Sequence, residues 1–152
     1  MGSKAENRDA EALFKLSCPC QDLRRLSRVV SRLYDQELRK SGLEITQFGL
    51  LTALSQLGEA NQKRLSAGFA MDSTTLTRTL ALLRKRGWIR VRRGTDRRER
   101  LFGITEAGKR QLAAAQSYYR AAEQRLRKEL SEAEWRGLEE TLSRLTVAAM
   151  AA

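Results

Sequence analysis

Between residues 20 and 40 apolar side chains recur at Leu23, Leu26, Val30, Leu33 and Leu38 with Arg and Ser between them, a spacing close to three and four that predicts an amphipathic helix. Ser41 and Gly42 break the pattern. It resumes at Ile45, Phe48, Leu51, Leu54 and Leu57 and stops at Gly58, so a second helix is expected over about 46–57, with Thr46 at its N-cap. Asn61 can cap a shorter third helix, 62–70, that buries Leu65 and Phe69. Asp72 or Ser73 caps a fourth, with Leu76, Leu80 and Leu83 inward, Thr74, Thr75, Thr77, Arg78 and Arg84 outward, and Gly87 as the stop. After Gly87 the period shortens. Trp88, Ile89 and Val91 alternate with Arg90 and Arg92, and Leu101, Phe102 and Ile104 answer them across residues 94–98, which predicts a β-hairpin with a basic tip. Thr105 and Glu106 open a long helix striped by Leu112, Ala115, Tyr119, Ala122, Leu126 and Leu130, about 40 Å long at ~1.5 Å per residue. Ser131 and Glu134 form a capping box for a last helix, in which Trp135, Leu138, Leu142 and Leu145 alternate steps of three and four. Such a seam calls for a partner helix, either a second copy of the chain or the chain's own first helix. Residues 1–12 read as a frayed polar leader.

Composition narrows the classes. The 152 residues are 41% hydrophobic and 31% charged with a single Pro, which fits one folded domain rather than a linker or a disordered chain. No apolar run approaches the ~20 residues of a membrane span, and 5–11 is too charged for a signal-peptide core, so a cytoplasmic protein without a membrane partner is expected. Histidine is absent, which removes Ser-His and Cys-His catalysis and the common His-containing zinc sites. An enzyme is not expected, nor is a cofactor or a resident metal.

The net charge is +11, and residues 84–100 carry +7 of it through nine basic residues against Asp96 and Glu99. A cluster of this kind matches a polyphosphate better than an even solubilising coat does. Two short helices followed by a hairpin with a cationic tip is the order of a winged helix-turn-helix, in which the second short helix enters the major groove and the wing tip suits the minor groove. The fold class expected is therefore mainly α, with a winged helix-turn-helix at 41–104 between an N-terminal leader and helix, 1–40, and C-terminal helices, 105–152.

The runs LEITQFGLL at 43–51, DSTTLTR at 72–78, LRKRGWI at 83–89, DRR at 96–98 and ITEAG at 104–108 together resemble the MarR (multiple antibiotic resistance regulator) family of bacterial transcription factors, over about residues 20–148. The resemblance implies that Ser73, Thr74, Thr75, Thr77 and Arg78 line a recognition helix, that Asp96 braces the wing and that Arg98 reaches the minor groove. Arg84, Arg92 and Arg97 complete the expected DNA-binding set. It also implies a two-fold dimer built from the terminal helices, with Leu23, Leu26, Trp135, Leu138, Leu142 and Leu145 at the interface, reading a pseudo-palindromic double-stranded operator. Two positions depart from the family pattern: Ala70 stands where the turn before the recognition helix usually has Gly, and Gly68 lies within the third helix.

Cys18 and Cys20 flank Pro19, which suits a first helical turn, where the helix dipole favours thiolate. Three readings stand: apolar fillers of a dimer interface, an oxidant sensor resembling the organic-hydroperoxide branch of the family, or metal or metalloid capture. Tyr34, Tyr118 and Tyr119 read as core, or as the lining of a pocket for a phenolic ligand. The function expected is a homodimeric, sequence-specific regulator of repressor type, released from DNA by thiol oxidation or by a small ligand. A non-specific architectural DNA-binding protein and a thiol oxidoreductase are the alternatives.

Overall fold

Pro19 sets the start of α1 (Pro19–Leu38), since its missing N–H is one of the donors a helix leaves unused there. This is a computed structural model, and it describes residues 18–96 and 99–151; the expected leader, Arg97 and Arg98 lie outside the described residues. A 3-10 turn (Arg39–Ser41) ends α1, and Gly42 takes a left-handed φ of 81°. Next come α2 (Ile45–Leu57), β1 (Glu59–Asn61), α3 (Gln62–Phe69), α4 (Ser73–Lys85), β2 (Ile89–Arg93), β3 (Arg100–Ile104), α5 (Glu106–Arg127) and α6 (Glu132–Ala151). All six helices and both hairpin strands fall where the sequence pattern predicts them.

Three details differ. The N-cap of α2 is Glu44, not Thr46: Glu44 is extended (φ −116°, ψ 160°), its N–H donates to Gln47 Oε1 at 3.4 Å, and the next N–H donates to Asp35 Oδ1 of α1 at 2.7 Å. The helix thus starts one residue early because α1 supplies an acceptor from outside the local sequence. The strand β1 had no pattern to announce it. Its three residues pair antiparallel with β3, Ala60 opposite Phe102, giving the sheet order β1-β3-β2. The long helix stops at Arg127, so its 22 residues span about 33 Å, and Leu130 lies beyond it, exposed.

The core gathers around α2, whose Leu50, Leu51 and Leu54 are fully buried. Leu38 and Leu43 close it from the α1 side, Leu65, Leu76 and Leu83 from the helix-turn-helix, and Phe102 and Ile104 from the sheet. Ala115 and Ala122 are fully buried on α5, where small side chains admit the close approach of α1 and α2. Helix α6 buries none of its residues in the single chain.

Candidate nucleic-acid interface

The turn between α3 and α4 decides where the exposed face of α4 points. Asn61 caps α3, its Oδ1 accepting the Arg64 N–H at 2.8 Å. Ala70 ends the helix in the left-handed region, φ 46°, the conformation for which Gly is the usual choice. Ser66 Oγ then donates to the Met71 carbonyl at 2.6 Å. Asp72 caps α4 by accepting from the Thr75 N–H at 2.9 Å, and hydrogen bonding first from the Thr75 side chain and then from this N–H holds its carboxyl below the usual range. Leu76, Leu80 and Leu83 anchor one side of α4 in the core. Ser73, Thr74, Thr75, Thr77, Arg78 and Arg84 are exposed on the other.

Beside this face stands the wing. β2 and β3 pair from Ile89 opposite Ile104 to Arg93 opposite Arg100. Its tip is closed by the Gly94 N–H donating to the Glu99 carbonyl at 2.8 Å and the Glu99 N–H to the Asp96 carbonyl at 2.9 Å. Asp96 thus contributes to the turn through its backbone, and its exposed side chain sits at the tip. Arg92 does not stand alone: its Nε donates to Glu59 Oε2 at 2.8 Å, its Nη2 bonds the same carboxylate, and Arg90 adds a contact at 3.3 Å. The Arg92 hydrogen bond is the main cause that keeps the Glu59 carboxyl below its ordinary range. Asn61 Nδ2 reaches Glu99 Oε1 at 2.5 Å, so one side chain both caps α3 and holds the returning edge of the wing. Gln62 Nε2 donates to Thr77 Oγ1 at 2.7 Å, which ties α3 to α4. The Asn61 cap was expected, because its signal is local. The contacts of Glu59, Asn61 and Gln62 that cross from one element to another were not.

Two further regions hold the remaining residues that the sequence singled out. A cleft of about 600 Å³ opens between the helix-turn-helix and the terminal helices, lined by Ser31, Ile45, Phe48, Phe69, Met71 and Tyr119 among others. Tyr119 stacks on Phe48 with centroids 4.7 Å apart, and Tyr34 lies behind it at 5.2 Å. Burial pushes both phenols upward from the ordinary value, and Tyr34 is buried in the core. Tyr34 is therefore core and Tyr119 cleft wall. Cys18 is the N-cap residue of α1 and Cys20 follows Pro19 in the first turn, both exposed in the single chain. Next to them Pro19, Leu23, Leu26, Val29 and Leu145 line an apolar cleft of about 630 Å³ between α1 and α6. Among the described residues no group of three or more metal-ligating side chains occurs, and no helix is long and apolar enough to cross a membrane.

A three-stranded winged helix-turn-helix set between long terminal helices defines the class. The MarR family model matches residues 43–99. The chain is 34% identical over 117 residues to the uncharacterised HTH-type transcriptional regulator YxaD of Bacillus subtilis, covering 76% of this chain and 82% of that one. It is 30% identical over 80 residues to YwoH of the same organism, spanning 53% of this chain and 58% of YwoH. The crystal structure of the transcriptional regulator MosR of M. tuberculosis in complex with DNA superimposes with a TM-score of 0.79 at 31% identity, covering 89% of this chain and 98% of MosR. The chain belongs to the MarR family of transcriptional regulators.

Proposed function

We propose that this chain is a homodimeric, sequence-specific repressor that places α4 in the major groove and the wing against the minor groove of a pseudo-palindromic operator. The observation that carries this reading is the exposed Thr and Arg face of α4 beside a hairpin that concentrates the positive charge. Thr hydroxyls and Arg forks suit base edges, while Arg84, Arg92 and Arg97 suit phosphates and Arg98 the minor groove. Asp96 keeps the tip folded through its turn. That MosR has been solved on DNA supports the same use of this fold here.

Release follows from the two regulatory regions. Oxidation of Cys18 or Cys20 alters the start of α1, next to the apolar cleft in which Leu23 and Leu26 meet a second copy, and so changes the distance between the recognition helices. A small aromatic ligand seated against Phe48 and Tyr119 wedges α2 relative to α5 with the same effect.

The test begins by selecting duplexes from a random library with the purified chain. Affinity for the enriched duplex is then compared with that for a scrambled one, in dithiol and after peroxide, for the wild type and for Cys18→Ser and Cys20→Ser. The reading expects enrichment of an inverted repeat, a specificity ratio of about 10³ or more, and loss of binding on oxidation that dithiol reverses. Equal affinity for all duplexes would replace it with non-specific DNA coating.

A further inference from the structure

Thr77 belongs to the exposed polar face of α4, yet its hydroxyl is engaged within the protein. Thr77 Oγ1 donates to the Ser73 carbonyl one turn earlier at 2.6 Å, and accepts from Gln62 Nε2 at 2.7 Å. Gln62 Nε2 also lies 3.4 Å from the Ser73 carbonyl. Its amide therefore grips two points on the first turns of α4 from the first residue of α3. The packing around this contact explains why it matters. Between α4 and the sheet there is a gap of about 140 Å³, lined by Gln62, Thr77, Arg84, Val91, Arg100 and Phe102. Core side chains hold α4 through Leu76, Leu80 and Leu83, but this flank is open, so rotation of the helix about its own axis is opposed there by the Gln62 hydrogen bonds.

We infer that Gln62 is a positioning residue that sets the roll of the recognition helix by latching Thr77 and Ser73, and that Thr77 serves DNA recognition through this latch and not by contacting a base. The inference rests on the reading of α4 as the DNA-reading helix. It narrows the discriminating surface to Ser73, Thr74, Thr75 and Arg78. A hydroxyl that already donates once and accepts once has a single acceptor site left. A roll error of α4 misdirects all of those neighbours together.

The experiment has two arms. In the DNA-free protein, hydrogen exchange is followed along α4. The latch predicts that Gln62→Ala and Thr77→Val each speed exchange at the amides of 74–78 by about tenfold while the core strands keep wild-type rates. In the second arm, specificity ratios are measured against the duplex enriched by the wild type. Thr77→Ser keeps the oxygen and should retain the wild-type ratio, whereas Thr77→Val and Gln62→Ala should each lower it about tenfold. The double variant should fall no further than the worse single one, because both remove the same contact.

A retained ratio in Thr77→Val with a loss in Thr77→Ser would show a base contact through the methyl group and overturn the inference. Additive losses in the double variant would show a base contact through the hydroxyl and overturn it equally. Unchanged exchange at 74–78 would show that the latch does not hold the helix. If the wild type enriches no duplex, the reading of the protein as a sequence-specific repressor fails, and the exchange arm still decides whether the latch exists.

Discussion

At Gly108 an added Cβ would lie 2.1 Å from the carbonyl oxygen of Trp88 and 2.8 Å from Ile104 Cγ1. The neighbouring Thr105 explains the closeness: its N–H donates to that same carbonyl at 3.0 Å and its hydroxyl to the Gly87 carbonyl at 2.7 Å, so the start of α5 is drawn onto the turn that follows α4. The ITEAG run at 104–108 was visible in the sequence as a helix start, but the need for Gly at its end arises from the backbone of Trp88, far back along the chain. Because the obstacle is backbone, Gly108→Ala is expected to destabilise the fold by about 2–3 kcal/mol in urea unfolding, an overpacking cost that the site cannot relieve by a rotamer change. Ala70 presents the opposite case. Its left-handed φ of 46° opposes the preference of any residue with a Cβ, so Ala70→Gly relieves strain while giving the unfolded chain more freedom. The first effect is the larger, and a net gain of about 0.5–1 kcal/mol is expected, read as a higher denaturant midpoint with an unchanged slope.

Helix ends were legible where the local cap is Asn, Asp, Ser or Thr, whereas the equally local Glu44–Gln47 pair at the start of α2 was missed. Asn61, Asp72 and Thr105 each accept an N–H from three residues on, and Ser131 exchanges hydrogen bonds with Glu134. Where an element depends on a distant partner the sequence was silent, as for β1, whose Glu59, Ala60 and Asn61 have no alternation and form a strand by pairing with β3. The same silence covered the grip of Glu59 on Arg92 and Arg90, contacts more than thirty residues apart. That grip separates the roles of the wing arginines. Arg92 has its charge matched by Glu59 and holds the hairpin against β1, so Arg92→Ala is expected to weaken binding to all duplexes alike. Arg98, assigned to the tip, should contribute directly to the operator: Arg98→Ala is expected to cost on the order of 1–3 kcal/mol with the unfolding midpoint unchanged. Fluorescence anisotropy on the enriched and scrambled duplexes at one salt concentration checks both, and unchanged affinity in Arg98→Ala would remove the tip from the interface.

Among the described residues, most of the exposed large apolar side chains lie on α1 and α6. Leu26 is 49% exposed on α1, and Leu142 and Leu145 are 41% and 50% exposed on α6, although they recur at helical spacing. A stripe of this kind was legible as a seam in the sequence, but the sequence left open whether the chain's own first helix covers it. The cleft between α1 and α6 answers in part: Leu145 shares it with Leu23, Leu26 and Val29, and all three leucines are still at least 43% exposed. Intramolecular packing thus leaves enough apolar surface for a second copy to bury. A two-fold pairing through this surface would also join two recognition helices, so that binding of the first half-site raises the effective concentration of the second. Leu142→Asp places a charge in the middle of that stripe, where desolvation on pairing is costly. The variant is expected to sediment as a monomer at micromolar concentration with its helical signal retained, because the side chain is not part of the buried core of the single chain. Its affinity for the full operator should fall toward that of the wild type for a half-site, whereas its affinity for an isolated half-site should not change. A wild-type chain that sediments as a monomer under these conditions, or a Leu142→Asp chain that remains dimeric, would assign the exposed stripe to some other partner.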